Sequence, residues 1–283
     1  MPVGAIFEPG FFSSSSVQLA LAIGALVAIV TGSVGVFTVI RGQSFAGEAL
    51  GDIGAAGGSS AYLAGVAPLW GFVVVALAAA GVMELIGVQR ARGRDLATGI
   101  VLGAGFGLAA LFLYLGTTYN NTTGATVTIL FGSIFALAPS TLPLVAVLAA
   151  IALGIVVALY RPLLLASLSP DLAAARGLPV RLIGILYLGA MALAMALSAV
   201  TIGTILSVAL LVGPAATSLQ LTTRPVRASV TAALIGIATT WLGILLAYDS
   251  YYWPPQHQGW PVSFFVVTLV LVAYIAARVV AKR

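Results

Sequence analysis

Long apolar runs, following one another with little room between them, constrain this chain more than any other feature. They fall at about nine places: residues 17–40, 44–65, 67–88, 96–116, 141–160, 181–200, 202–221, 228–247 and 262–280. Each approaches the roughly 20 residues that an α-helix needs to cross the hydrocarbon core of a bilayer. Inside that core no water pairs with backbone amides and carbonyls, so a crossing segment must satisfy them itself, as a helix does. The expected fold is an all-α polytopic membrane protein of about nine transmembrane helices. Composition agrees, since 61% of the 283 residues are hydrophobic and only 7% are charged. No repeat and no long linker interrupts the series, so residues 1–283 read as a single transmembrane domain.

The basic residues set the orientation. All 12 Lys and Arg fall between or after spans on the same side: Arg41, Arg90, Arg92, Arg94, Arg161, Arg176, Arg181, Arg224, Arg227, Arg278, Lys282 and Arg283. The opposite connections, around 66–68, 117–139 and 248–261, carry none. Basic loops stay in the cytoplasm, which places the N-terminus outside and the C-terminus inside. The first charge is Glu8, and no basic region precedes an apolar run there, so no cleavable signal peptide is expected. Two spans are irregular. The stretch 44–65 is rich in Gly and Ser, and 201–221 is broken by Gly213-Pro214, which leaves a partly re-entrant path open for it. Removing either one alone would misplace basic residues, so nine spans are retained.

Within the second span, Glu48 and Asp52 stand one helical turn apart, about 6 Å along the axis and on one face. Carboxylates inside a membrane are costly and rarely persist without a use. They hold a cation, relay a proton, or pair with a cation on another helix. Glu84, at the inner end of the third span, reads instead as a group that snorkels to the interface or pairs with Arg90. Gly47/Gly51, Gly54/Gly58 and Gly103/Gly107 repeat at the four-residue spacing that lets helices approach closely in lipid. Such packing would wall in the segment bearing the two acids.

Several functions are excluded. The only lysine is Lys282 and no glycine-rich phosphate loop is present, so this chain does not itself grip ATP. There is no cysteine, no nucleophile elbow and no His–carboxylate cluster, so neither an enzyme nor a cofactor-binding site is expected. The one histidine, His257, lies in an aromatic, proline-rich outer segment, Tyr248–Pro261, and reads as a surface residue of an interfacial or docking rim. The inner connection 164–180 is different. Ser169-Pro170-Asp171 is a helix start and Gly177 with Pro179 a helix stop, so a short capped helix at about 169–178 lies across the cytoplasmic face. It is either a protein contact or a simple amphipathic elbow.

In the order and spacing of its motifs the chain resembles the permease subunit of bacterial ABC transporters for manganese, zinc or iron. Gly35 to Gly42 followed by Gly47-Glu48-Ala49-Leu50 is similar to that family's first-loop signature. Thr98 to Val101 and Leu130 to Ile134 resemble segments about its fourth and fifth spans. Asp171 to Val180 resembles its coupling helix, and Ile202 to Leu206 with Ala209 to Ala216 its late Ala-Leu-Leu-x-x-Pro-Ala-Ala stretch.

The resemblance implies a multi-pass permease of the bacterial inner membrane that works as a homodimer. It also implies an ATP-binding-cassette ATPase at each coupling helix, an extracytoplasmic solute-binding protein that delivers the metal, and no nucleic-acid partner. Pro170, Asp171, Ala174, Ala175 and Gly177 then match the ATPase-coupling positions. Glu48 and Asp52 match the family's pathway carboxylate and histidine, but the Asp has become Glu and the His has become Asp. Gly51 replaces the usual Ser, and Ala55-Ala56-Gly57 stands where the family has Leu-Pro-Gly. Oxygen-only ligands favour hard cations, so Mn²⁺ or Fe²⁺ is expected ahead of Zn²⁺. The competing reading is a stand-alone, proton-coupled secondary transporter using Glu48 and Asp52, for which inverted repeats would be expected and none is visible.

Overall fold

The computed structural model describes residues 10–86, 91–120, 123–253 and 259–281. Twelve helices account for most of them: α1 Ser15–Ile40, α2 Ser44–Leu63, α3 Pro68–Ile86, α4 Ala91–Asn120, α5 Thr123–Phe131, α6 Thr141–Ala158, α7 Tyr160–Leu168, α8 Pro170–Ala175, α9 Val180–Ile202, α10 Thr204–Leu221, α11 Pro225–Ser250 and α12 Val262–Ala281. The nine long ones among the described residues coincide with the nine apolar runs. Eight of these are long and apolar enough to cross a membrane by themselves. The ninth is the Gly- and Ser-rich α2, which is helical because other helices surround it. Every residue from Ala46 to Ser59 except Glu48 is buried, against α3, α4, α9 and α10.

The bundle is layered around α1, α2 and α9. The most buried of the apolar spans is α9, whereas α4, α6 and α12 leave most of their surface to lipid. Small side chains set how closely the layers approach. A methyl group on Gly57 would run into Gly71 and Val75 of α3, and one on Gly51 into Met195 of α9. The expectation for Gly103/Gly107 is not met. Both face open space, and the close contact is made by Gly105, where an added carbon would lie 2.6 Å from the Ile53 amide nitrogen and 2.9 Å from the Asp52 carbonyl carbon. The buried stripe of α4 is Ala97, Val101, Gly105 and Ala109, one residue per helical turn, and Gly103 and Gly107 lie off it. Their four-residue spacing marks a face but not which neighbour covers it.

The seventh span is a continuous helix, α10, with Pro214 inside it, and not a re-entrant loop. Its turn from α9 is a single residue, Gly203, at φ +85. That left-handed conformation suits glycine, and Gly132, at φ +76, packs backbone to backbone against it. The outer connection 117–139 is therefore no bare loop. It carries α5 and a 3-10 turn at Ile134–Ala136, both seated on the long helices.

At the opposite end the basic residues gather as the charge pattern requires. Arg41 follows α1, Arg161 lies in the first turn of α7, Arg176 follows α8, Arg224 precedes α11 and Arg227 lies in its first turn. Glu84 pairs there with Arg181 at 3.8 Å; Arg90, its expected partner, lies outside the described residues, as does His257.

Candidate functional site

The acids on α2 are presented by a helix that has almost no freedom. Leu211 and Met191 pack at Gly47, Met195 and Ser207 at Gly51, and the Gly105 backbone at Asp52–Ile53. Glu48 is half-buried and opens into a groove of about 550 Å³ between α2, α10 and α12. The groove walls are apolar, including Phe45, Val208, Val212, Val270 and Tyr274, and Glu48 is the charged group among them.

Asp52 lies one turn further along. It is 8% exposed, and its Oδ2 has no hydrogen-bond partner. A buried acceptor without a donor costs about 1–3 kcal/mol, more when it is charged. The arrangement is balanced only when something positive, a proton or a metal ion, joins it. Among the described residues no group of three or more His, Cys, Asp or Glu side chains comes together, so one chain offers an ion two carboxylates and no closed cage. The structure thus brings the sequence pair to one face without a third acid or imidazole among the described residues to complete it.

On the inner face, the short helix is α8, Pro170–Ala175. The Ser169 hydroxyl accepts from the Leu172 amide at 3.4 Å, Pro170 opens the helix, and Asp171 stands in its first turn. Gly177 ends it at φ +76. Ala173 is buried beneath, while Pro170, Asp171, Leu172, Ala174, Ala175, Arg176 and Gly177 are exposed. The helix thus presents one side outward and anchors the other on α7 and α9.

Sequence reasoning missed two features. One is α7, whose Tyr160 ring meets Phe37 of α1 edge to face at 5.8 Å. Along the sequence its leucines read only as connection. The other is an outer cavity of about 510 Å³ bounded by Ser133, Thr201, Tyr248, Tyr252 and Trp260. The aromatic signal of Tyr248–Pro261 points to a rim there, but the facing residues arrive from α5, the 3-10 turn and α9.

Among the described residues, nine long helices, two acids a turn apart on α2 and a capped helix beside the basic residues define a polytopic all-α membrane bundle. The chain matches the ABC 3 transport family over residues 13–279 and belongs to it. It is accordingly a permease subunit of the metal ABC transporter type, a multi-pass inner-membrane protein, and not itself an enzyme. It is 31% identical over 245 residues to the manganese transport system membrane protein MntC of Halalkalibacterium halodurans, covering 86% of this chain and 83% of that one. To the protein of the same name in Listeria monocytogenes it is 28% identical over 243 residues, covering 86% and 85%. Among solved structures it is similar to PsaBC from Streptococcus pneumoniae in complex with Fab. There the TM-score is 0.80 at 25% identity, over 95% of this chain and 92% of that chain.

Proposed function

We propose that this chain, as a single permease domain, imports a divalent metal ion, with Mn²⁺ or Fe²⁺ preferred to Zn²⁺. A separate ATPase docked on α8 supplies the energy, and an extracytoplasmic binding protein delivers the ion. The observation that carries the reading is the pair on α2: Asp52 has a buried carboxylate oxygen with no donor, and Glu48 sits a turn below it at an open apolar groove. An oxygen pair suits hard cations and offers Zn²⁺ no imidazole. A second copy facing the same groove would bring four carboxylates to one ion and close a site that a single chain leaves open. The similarity to manganese permeases supports the same cargo. Family membership also favours a partner ATPase over the proton-coupled alternative, and the absence of a phosphate loop in this chain requires ATP to be held elsewhere.

Metal uptake in cells expressing Glu48→Gln or Asp52→Asn tests the assignment. Each variant removes one charge at nearly constant volume, and each is expected to lower Mn²⁺ uptake by roughly tenfold or more, the scale of a lost charge-assisted contact. Unchanged uptake in both, at equal protein level, removes the pair from the pathway.

A further inference from the structure

Arg41 lies within the first-loop motif, yet neither the metal pair nor the ATPase contact uses it. Its guanidinium lies where four elements converge. Nε donates to Gln43 Oε1 at 3.1 Å, and Gln43 is buried and immediately precedes α2. Nη1 donates to Ser167 Oγ at 3.2 Å, near the end of α7, and Ser167 in turn donates to the Leu163 carbonyl. The guanidinium carbon sits over the Tyr187 ring of α9, 5.2 Å from its centre. Tyr187 is fully buried, and its hydroxyl lies 2.7 Å from Thr38 Oγ1 and donates to the Val34 carbonyl at 3.1 Å. A guanidinium can do all this at once because its donors diverge in one plane while its faces remain free for an aromatic ring.

The position has a mechanical meaning. Ser167 is two residues before Ser169, the cap of α8, so a displacement of α8 has only Leu168 and Ser169 to cross before it reaches Ser167. Gln43 is the residue before α2, and Glu48 lies in the next turn. The Phe37–Tyr160 contact holds the other end of α7 against α1, so α7 and α8 form a short arm whose link to the start of α2 is Arg41.

We propose that Arg41 is the positioning residue that transmits movement of the α7–α8 arm to the first turn of α2, coupling ATP hydrolysis to exposure of the acid pair. The coupling role rests on the import reading given under Proposed function. The test uses the complete transporter, permease with its partner ATPase, in proteoliposomes, measuring Mn²⁺ uptake and ATP hydrolysis together. In Arg41→Gln, Mn²⁺ moved per ATP hydrolysed should fall by about tenfold, the worth of a charge-assisted hydrogen bond, while the ATPase still co-purifies. Arg41→Lys, which keeps the charge but not the fork, should recover part of that ratio. Ser167→Ala, which cuts the link to α7 and Ser167's own bond to the Leu163 carbonyl but leaves Gln43 and Tyr187 in place, should lower it by a smaller factor even if Arg41→Gln fails to assemble. A wild-type ratio in Arg41→Gln, or in Ser167→Ala, overturns the proposal. So does an equal loss of hydrolysis and uptake in both variants, which marks a merely structural role. A wild-type complex that hydrolyses no ATP or moves no Mn²⁺ sinks the import reading instead, and the coupling role with it.

Discussion

At the scale of single residues, the proposed import function turns on Asp52, a carboxylate buried inside the bundle. Asp52 occupies a turn of α2 where the backbone of Gly105 presses close and its buried Oδ2 is left without a donor. Asp52→His should therefore shift cargo preference, because a nitrogen ligand suits Zn²⁺ where two carboxylates suit Mn²⁺. In competition uptake, the Zn²⁺-to-Mn²⁺ ratio of that variant is expected to rise by about tenfold, an order-of-magnitude figure for exchanging ligand type. A fixed ratio would show that position 52 does not select the ion. The α4 glycines provide a matched pair of packing tests. Gly105→Val must push α4 away from Asp52–Ile53 and should cost about 1–3 kcal/mol. Gly103→Val, facing open space, should stay within about 0.5 kcal/mol of wild type. Thermal unfolding in detergent separates the two, and equal losses would contradict the packing described.

Among the elements, α8 shows how a six-residue helix persists on a membrane surface. It is too short to be stable alone, and it is held by the Ser169 cap, by Pro170 at its start, by Gly177 at its end and by Ala173 buried beneath. The cap bond is long, 3.4 Å, so Ser169→Ala should cost about 0.5 kcal/mol, the low end for such caps. Gly177→Val forces a β-branched residue into left-handed backbone and should cost about 1–2 kcal/mol. Protease sensitivity of the 164–180 segment should increase in that order, with less ATPase recovered from Gly177→Val than from wild type. The boundaries of this helix were legible because caps and stops are local chemistry. Helices α5 and α7 were not, since both fall in stretches that read along the chain as connections, and only seating on other helices gives them their place.

At the scale of the whole molecule, orientation follows from charge. The chain contains no cysteine, so single cysteines can report on it. Thr223→Cys lies beside Arg224 on the basic face, and Tyr252→Cys lies at the outer aromatic cavity; both positions are exposed. A membrane-impermeant maleimide should label Tyr252→Cys in intact cells and Thr223→Cys only after permeabilisation. The reverse pattern would invert the topology.

The sequence by itself determined the helical class, the number of long helices, the capped helix at 170–175 and the two acids on α2, and its charge pattern predicts their orientation. Each of these depends on hydrocarbon length, on the side of the membrane that keeps basic charge, or on spacing within one helix, and all three are properties of a chain read along its length. Only the tertiary structure decided that Gly105 and not Gly103 meets α2, that Glu84 pairs with Arg181, that α10 continues through Gly213-Pro214, and that Arg41 joins α2, α7 and α9. Those outcomes depend on which helix covers which face. In lipid, where apolar surface gains little by turning from tails to protein, close fit between particular backbones makes that choice.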